Sequence, residues 1–267
     1  MNFDDLCYDK REGIARVAFD RPARLNALGD TTTRQLLQAC MDAAADPSVR
    51  VLVITGEGEA FCAGGDFKDT FQNGAGKTAD QWSERIRQGP NELVRVLQSM
   101  AKPVVASING VAVGGGATIA LACDLRIASE RARFSFPFSN IGITPEFGCS
   151  HLLPRVVGLG RAMELLMLGD MIDAATAERI GLVNRVVPHA QLGQATADLV
   201  MRLLDKPRDT LGGIKSLVHQ GLSTDMDRLL EMEAQALGRA FSSQEHRTAV
   251  TRFLERKSAR AKSPPGA

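Results

Sequence analysis

Cysteine is scarce in this chain of 267 residues, and the little there is forms no pattern. The five (Cys7, Cys40, Cys62, Cys123, Cys149) are odd in number, scattered and never spaced Cys-x-x-Cys. That spacing argues against a disulfide framework and against a zinc site, and fits a reducing compartment. Charge of one sign is missing as well: 32 basic against 31 acidic residues leave a net +1. No overall field draws such a chain to nucleic acid or to an anionic membrane, so any anionic partner has to be met by a local site. Long apolar runs are absent too, since "GVAVGGGATIALAC" is too short for a membrane span and is broken by glycines. The start "MNFDDLCYDKREG" lacks a basic stretch followed by an apolar core, so no signal peptide is expected and the expected location is cytoplasmic.

What is there is ordinary globular composition, 44% hydrophobic and 24% charged, which excludes disorder of the whole chain. "GIARVAFDRP" alternates like a strand and stops at Arg21-Pro22. A helix is predicted from about Thr31 to Ala45, capped by Asp30 or a nearby Thr. The run around Val51–Thr55 predicts a buried strand, and Gln72–Asp80 reads as a polar segment. "ELVRVLQSM" predicts a helix, "KPVVASING" a second buried strand, and "GGGATIALACD" a further helix. Two more strands ("DLRIAS", "ARFSFP"), helices through "RAMELLML" and "AATAERIG", and a last strand "LVNRVVP" follow. From about Leu192 only amphipathic helices are expected, and "KSPPGA" reads as a frayed tail. The predicted layout is an α/β core over residues 1–195 and a helical C-terminal region over 196–267.

Two Gly-rich loops each follow a buried strand: "CAGGDF" (Cys62 to Phe67) and "VGGGAT" (Val113 to Thr118). Glycine lets backbone approach a ligand and present its N–H groups, and at a helix start those groups are free and lie at the positive end of the dipole. Two such elements can aim two donors at one oxygen, as an oxyanion hole does. A single loop of this kind serves equally as a tight turn or a phosphate cradle. A P-loop is excluded by the missing G-K-[ST] ending, and a dinucleotide fold is disfavoured by the spacing. A third feature is an isolated acid. Within "GITPEFGCSHLLPR", Glu146 is the sole Asp or Glu between Arg131 and Met163.

"AFCAGGDF", "KPVVASINGVAVGGGATIALACDLRIAS", "LPRVVG" and "IGLVNRVV", in this order, resemble the crotonase superfamily, the enoyl-CoA hydratase/isomerase family, along essentially the whole chain. The resemblance implies a spiral of ββα units, a helical C-terminal region that builds trimers, with a hexamer as the alternative, and acyl-CoA thioesters as substrates. Coenzyme A then enters as part of the substrate, and no separate cofactor or metal is expected. By motif position the enolate oxygen is held by the N–H groups of Gly65 and Gly115. CoA is expected along "ARLNAL", near Leu25 and Ala27, and from Ala63 through Asp66 to Phe67, with Asp66 also fixing its own loop. The family's basic residue is displaced here: Ala23 stands at its position, and Arg24, one place on, is the expected contact to the CoA phosphates. Phe253, Arg256 and Lys257 are expected to face a neighbouring subunit's CoA.

The carboxylates separate the family's reactions. Hydratases of the family carry one glutamate just inside the helix after the triple glycine and a second in the following strand-loop, and these positions are Thr118 and Phe138 here. Thr and Phe cannot activate water and reprotonate the α-carbon. "GITPEFG" instead resembles the Δ3,Δ2-enoyl-CoA isomerase branch, which carries a single catalytic glutamate at the position of Glu146. One base that takes a proton from C2 and returns it at C4 suffices for that reaction. The alternatives are hydratase, dehalogenase, aromatic acyl-CoA ring isomerase, a non-catalytic CoA-binding protein, or a Glu146 that only caps the next helix. Cys149 and His151 show no nucleophile–base arrangement, and Asp124 reads as structural.

Overall fold

The computed structural model describes residues 1–262; Lys262, the first residue of the expected frayed tail, still belongs to a helix, and the rest of that tail lies outside the described residues. In chain order it begins with β1 (Leu6–Arg11) and β2 (Ile14–Phe19), followed by α1 (Asp30–Ala45). Next come β3 (Val51–Gly56), β4 (Ala60–Cys62), α2 (Phe67–Gly74), α3 (Ala79–Ile86) and α4 (Glu92–Ser99). The centre holds β5 (Val104–Ile108), β6 (Val111–Val113), α5 (Gly115–Ala122), β7 (Leu125–Ser129) and β8 (Arg133–Ser135). Then follow α6 (Cys149–Val157), α7 (Leu159–Leu168), β9 (Ile172–Asp173), α8 (Ala174–Arg179) and β10 (Arg185–Val187). Four helices close the described chain: α9 (Leu192–Leu204), α10 (Arg208–Gly221), α11 (Met226–Ser242) and α12 (Gln244–Lys262).

The strands form two sheets, one ordered β1-β2-β3-β5-β7-β10 and a smaller one ordered β4-β6-β8-β9. Each turn of chain lays one strand in the large sheet and the next in the small one: β3 then β4, β5 then β6, β7 then β8. The next turn adds its strands parallel to and beside the last pair, β5 on β3 and β6 on β4. This is the ββα spiral that the resemblance implies.

The continuous apolar runs of β3 and β5 have a simple cause. Alternate side chains of a strand point to opposite faces, and both faces of the large sheet are covered. Leu52 and Ile54 enter the main core, with Phe19, Phe61, Leu36 and Leu97. Val51 and Val53 enter a second core, where they meet Val105, Ile127, Leu192, Ala195 and Val200. Residue 195 thus lies within α9, whose apolar side packs on the sheet.

Several local expectations change. Strand β1 was not foreseen; it pairs antiparallel with β2 through Glu12-Gly13, both at positive φ (51° and 83°), the geometry of a tight hairpin turn. The polar segment from Gln72 falls across the end of α2 and the start of α3, helices of eight residues each whose average composition is polar. Helix α1 starts at Asp30 rather than after it. Gly29 is the N-cap residue, its N–H donates to Thr32 Oγ1 at 3.4 Å, and the Asp30 carboxylate turns instead to Arg85.

Helix α5 rests directly on β4. A β-carbon on Gly116 would stand 2.2 Å from the Cys62 carbonyl oxygen and 2.8 Å from its sulfur. Gly116→Ala is therefore expected to destabilise the fold by about 1–3 kcal/mol, as overpacking of a dense core does. Urea denaturation measures this, and an unchanged midpoint would contradict the close approach.

Helices α10 and α11 leave much apolar surface exposed, including Met226, Leu230, Leu237 and Phe241. The Glu245 carboxylate of α12 accepts the N–H groups of Arg208 and Asp209, both at 3.2 Å, and so caps α10. Buried Lys215 reaches back from α10 to Asp124 at 2.9 Å, and Asp124 also accepts the Val104 N–H at 2.7 Å. The structural part expected of Asp124 is therefore to tie β5 to α10. Among the described residues no helix is long and apolar enough to cross a membrane.

Candidate active site

The two glycine loops, fifty residues apart in sequence, become neighbours because β4 and β6 pair in parallel. Loops that leave parallel neighbours emerge at the same end of the sheet, where open α/β sheets bind ligands. Strand β8 continues the row beside β6, so the segment after it, which carries Phe138 and Glu146, emerges there too. Sheet topology thus brings Gly65, Gly115 and Glu146 to one place.

Each donor is left free by its own local geometry. Gly65 forms a single parallel bridge with Leu28, made by the Leu28 N–H to Gly64 O (2.7 Å) and the Asp66 N–H to Leu28 O (2.9 Å). In that pattern the Gly65 N–H points away from Leu28. Around Gly65 there is open space: a β-carbon added to it meets nothing within 4 Å. Gly115 is the first residue of α5, where an N–H has no partner within the helix. The two loops touch, since a β-carbon on Gly64 would lie 3.6 Å from the Gly115 nitrogen. The Gly114 N–H donates to Ser135 O at 2.9 Å and pins the start of α5 to β8.

Glu146 comes to the same point. A β-carbon on Gly115 would stand 3.2 Å from Glu146 Oε1, 2.9 Å from Phe147 Cε2 and 3.0 Å from Leu28 Cδ1. Phe147 holds a left-handed φ of 52°, unfavourable for a bulky side chain. Strain of this kind persists where the surroundings demand it, often beside functional groups. Burial raises the Glu146 carboxyl above its ordinary range, with the nearby Arg85 charge pulling the other way. Among the described residues no donor hydrogen-bonds this carboxylate. Nor does it cap α6, whose N-cap residue is Gly148 with no side-chain cap; only the Glu146 backbone carbonyl serves there, accepting the Cys149 N–H at 3.0 Å.

Thr118 and Phe138 are both buried next to this point. The Thr118 hydroxyl donates to Gly114 O at 3.0 Å and lies in hydrogen-bond contact with the Cys149 thiol, which burial pushes up to about 11. The Phe138 ring reaches within 4.0 Å of where a Gly114 β-carbon would be. His151 is exposed on α6.

On the other side of Gly65, Asp66 is buried, caps α2 through the Asp69 N–H (3.3 Å) and pairs with Arg21 (3.0 Å) and Arg24 (2.9 Å). Opposing influences meet at its carboxyl: burial raises it, the two arginines and the Asp69 N–H lower it, and the net position is below the ordinary range. Leu25 and Phe67 are exposed beside the loop, 48% and 49% accessible. The Ala63 N–H donates to Leu25 O at 3.0 Å and so joins the two segments, while Ala27 O accepts from Arg21 at 2.6 Å within its own segment. Phe253, Arg256 and Lys257 lie far along α12, exposed, with Arg256 paired to Asp205 at 3.0 Å.

Sequence reasoning missed three residues. Asn26 is buried and left-handed (φ 58°), donates to the carbonyls of Glu57 (2.9 Å) and Ala60 (2.7 Å), and accepts the Arg21 N–H (2.8 Å). Its signal was available, because Asn tolerates that conformation better than most residues. Arg21 and Arg85 left no local signal, since their partners are 45 and 55 residues away. In the stretch from α2 to α4, the side chains of residues 71–73 lie outside the described residues. Within the rest, Trp82 of α3 packs against Gly74 of α2, and Arg85 stacks over Trp82 at 5.0 Å.

The family model described as enoyl-CoA hydratase/isomerase matches residues 9–263. A crotonyl-CoA hydratase of Syntrophomonas wolfei is 36% identical over 97% of this chain and 98% of its own length. The 1,2-epoxyphenylacetyl-CoA isomerase of Escherichia coli is 35% identical over 92% of this chain and 94% of its own. The crystal structure of an enoyl-CoA hydratase from Bacillus anthracis superposes with a TM-score of 0.88 at 28% identity, covering 95% of this chain and 97% of that one.

Proposed function

Since the chain belongs to the enoyl-CoA hydratase/isomerase, or crotonase, family, whose chemistry is on acyl-CoA thioesters, we propose that it is an enoyl-CoA isomerase in which Glu146 moves a proton from C2 to C4 of a 3-enoyl thioester. The observation that carries this reading is the Glu146 carboxylate beside Gly115, raised by burial and, among the described residues, without a hydrogen-bonded partner. With the thioester oxygen held by the Gly65 and Gly115 N–H groups, C2 becomes acidic. Removal of its proton by Glu146 sends the electron pair into a dienolate whose charge rests on the held oxygen. The protonated Glu146 then returns the proton at C4, which places the double bond between C2 and C3 in conjugation with the thioester. A carboxyl raised by burial is a stronger base than an exposed one and is better matched to work near neutral pH.

Hydration is the second reading, because relatives of similar identity carry that name. It requires acid–base groups where this chain has Thr118, whose hydroxyl is engaged with Gly114 O, and Phe138. The purified protein is expected to convert 3-enoyl-CoA to the conjugated 2-enoyl-CoA, followed by absorbance of the conjugated thioester, and to be a poor catalyst of 2-enoyl-CoA loss to the 3-hydroxy product. Comparable rates in the two assays would overturn the isomerase reading. A protein that binds CoA and turns over neither would be the non-catalytic member.

The CoA contacts proposed are the backbone of Leu25, Ala27 and Ala63 to Phe67, with Arg24 and Asp66 holding that surface in shape. The apolar side chains exposed on α10 to α12 are proposed as subunit contacts of a homotrimer or hexamer, which light scattering after gel filtration measures.

A further inference from the structure

The Gly65 donor lies on an isolated bridge to Leu28, which has no strand ladder on either side to keep its register. One side chain supplies what a ladder would. Arg21 Nη1 donates to Ala27 O at 2.6 Å and Arg21 Nη2 to Asp66 Oδ2 at 3.0 Å. The guanidinium thus spans the residue before Leu28 and the residue after Gly65. Both flanks of the bridge are fixed by one planar group whose donors keep a constant separation.

The fork is itself anchored. Arg21 Nε lies 3.5 Å from Asp5 Oδ1, and Asp5 is tied to α1: its N–H donates to Gln35 Oε1 at 3.0 Å and its carboxylate accepts the Thr32 hydroxyl. The Arg21 N–H donates to the side chain of buried Asn26. The Arg21 side chain is 19% exposed and that of Asp66 7%, so the pair is largely shielded from water. Arg24 meets the same Asp66 oxygen at 2.9 Å with its side chain 51% exposed. The two arginines therefore differ in kind. Arg24 lies on the open surface proposed for CoA, whereas Arg21 lies inside and crosses the bridge that carries the donor.

We propose that Arg21 is a positioning residue for the reaction: through its fork on Ala27 and Asp66 it fixes where the Gly65 N–H points, and so acts on turnover through the oxyanion donor and not on CoA binding. This rests on the Gly65 and Gly115 N–H groups holding the thioester oxygen. A group misplaced by about 1 Å can cost about a hundred-fold in rate. Arg21→Gln removes the charge and the fork together. Arg21→Lys keeps the charge and loses the planar fork that reaches both oxygens.

The test is a double-mutant cycle on kcat and KM for 3-enoyl-CoA isomerisation, with Arg21→Gln, Arg21→Lys, Gly65→Pro and the Arg21→Gln/Gly65→Pro pair. Arg21→Gln is expected to lose about ten-fold or more in kcat, with KM moved less than kcat, and Arg21→Lys to lose nearly as much. In the Gly65→Pro background, where the donor is already gone, Arg21→Gln should cost no more than about two-fold further, because residues that act as a unit are not additive. The 3-enoyl thioester of N-acetylcysteamine, which lacks the nucleotide, should suffer the same loss in Arg21→Gln. Equal losses in both backgrounds overturn the inference, since an Arg21 that only steadies the fold costs the same with or without the donor. So does wild-type kcat in Arg21→Gln or Arg21→Lys, and so does a loss confined to the CoA thioester, which would assign Arg21 to nucleotide binding. Where Arg21→Gln does not fold, the same cycle is run with Arg21→Lys. A folded Gly65→Pro enzyme with normal turnover removes the underlying reading; a collapse of Gly65→Pro beside an unaffected Arg21→Gln removes the inference alone.

Discussion

Glu146→Gln is expected to lose isomerase turnover by about a hundred-fold or more, the usual consequence of removing a general base, while CoA affinity and fold are kept. Gln matches Glu in size and cannot accept the proton. A variant retaining more than about a tenth of the wild-type rate would remove Glu146 as the base. Stability supplies an independent check. Burial raises the Glu146 carboxyl, so the folded chain holds this proton more tightly than the unfolded chain does. The stability linked to it is fully present below the ordinary carboxyl range and is lost as pH rises through the raised folded value. Gln does not ionise. Its melting temperature should therefore exceed that of wild type near neutral pH, and the advantage should vanish in acid. A helix-capping Glu146 makes the opposite forecast, a less stable variant with nearly intact activity.

The second large effect is expected at Gly65. Its N–H is not used by the bridge to Leu28, and the space where a side chain would grow is open. Gly65→Pro deletes the donor without removing a hydrogen bond of the fold, and kcat should fall by about a hundred- to a thousand-fold, as when one oxyanion donor is lost. Gly65→Ala keeps the donor, and its added methyl meets only the ligand. Its loss should be milder and should include weaker substrate binding. Thermal unfolding and CoA binding of both variants are the controls. A folded Gly65→Pro protein with near-normal turnover would place the thioester oxygen elsewhere. Gly115→Pro tests the partner donor less cleanly, because a β-carbon there already crowds Phe147, Leu28 and Glu146.

Elements whose cause is local were legible in the sequence. The buried strands β3 and β5 show as apolar runs because both sheet faces are covered, and the two glycine loops show because only glycine allows such close backbone approach, as Gly116 on Cys62 demonstrates. The solitary Glu146 was visible as an acid without neighbours. What escaped notice depends on partners distant in the chain. Arg21 and Arg85 look like ordinary surface charges until Asp66 and Asp30 are brought to them. Helices α2 and α3 escaped because each is only eight residues long and polar on average, so the polar composition outweighs the short apolar pattern. Strand β1 escaped because its burial does not alternate cleanly, although the Glu12-Gly13 turn beside it was there to be read.

The spiral has an evolutionary corollary. Gly65, Gly115 and Glu146 arrive from three successive turns, after β4, β6 and β8. If Gly65 and Gly115 hold the thioester and Glu146 moves its proton, as proposed, the two tasks are encoded in separate stretches of gene. A lineage can discard an acid at position 118, install one at 146, and leave the donor pair untouched. At position 118 the Thr hydroxyl donates to the carbonyl of Gly114, the residue that caps the same helix. An architecture divided in this way can change its reaction by point mutation while the scaffold that recognises the substrate is inherited intact.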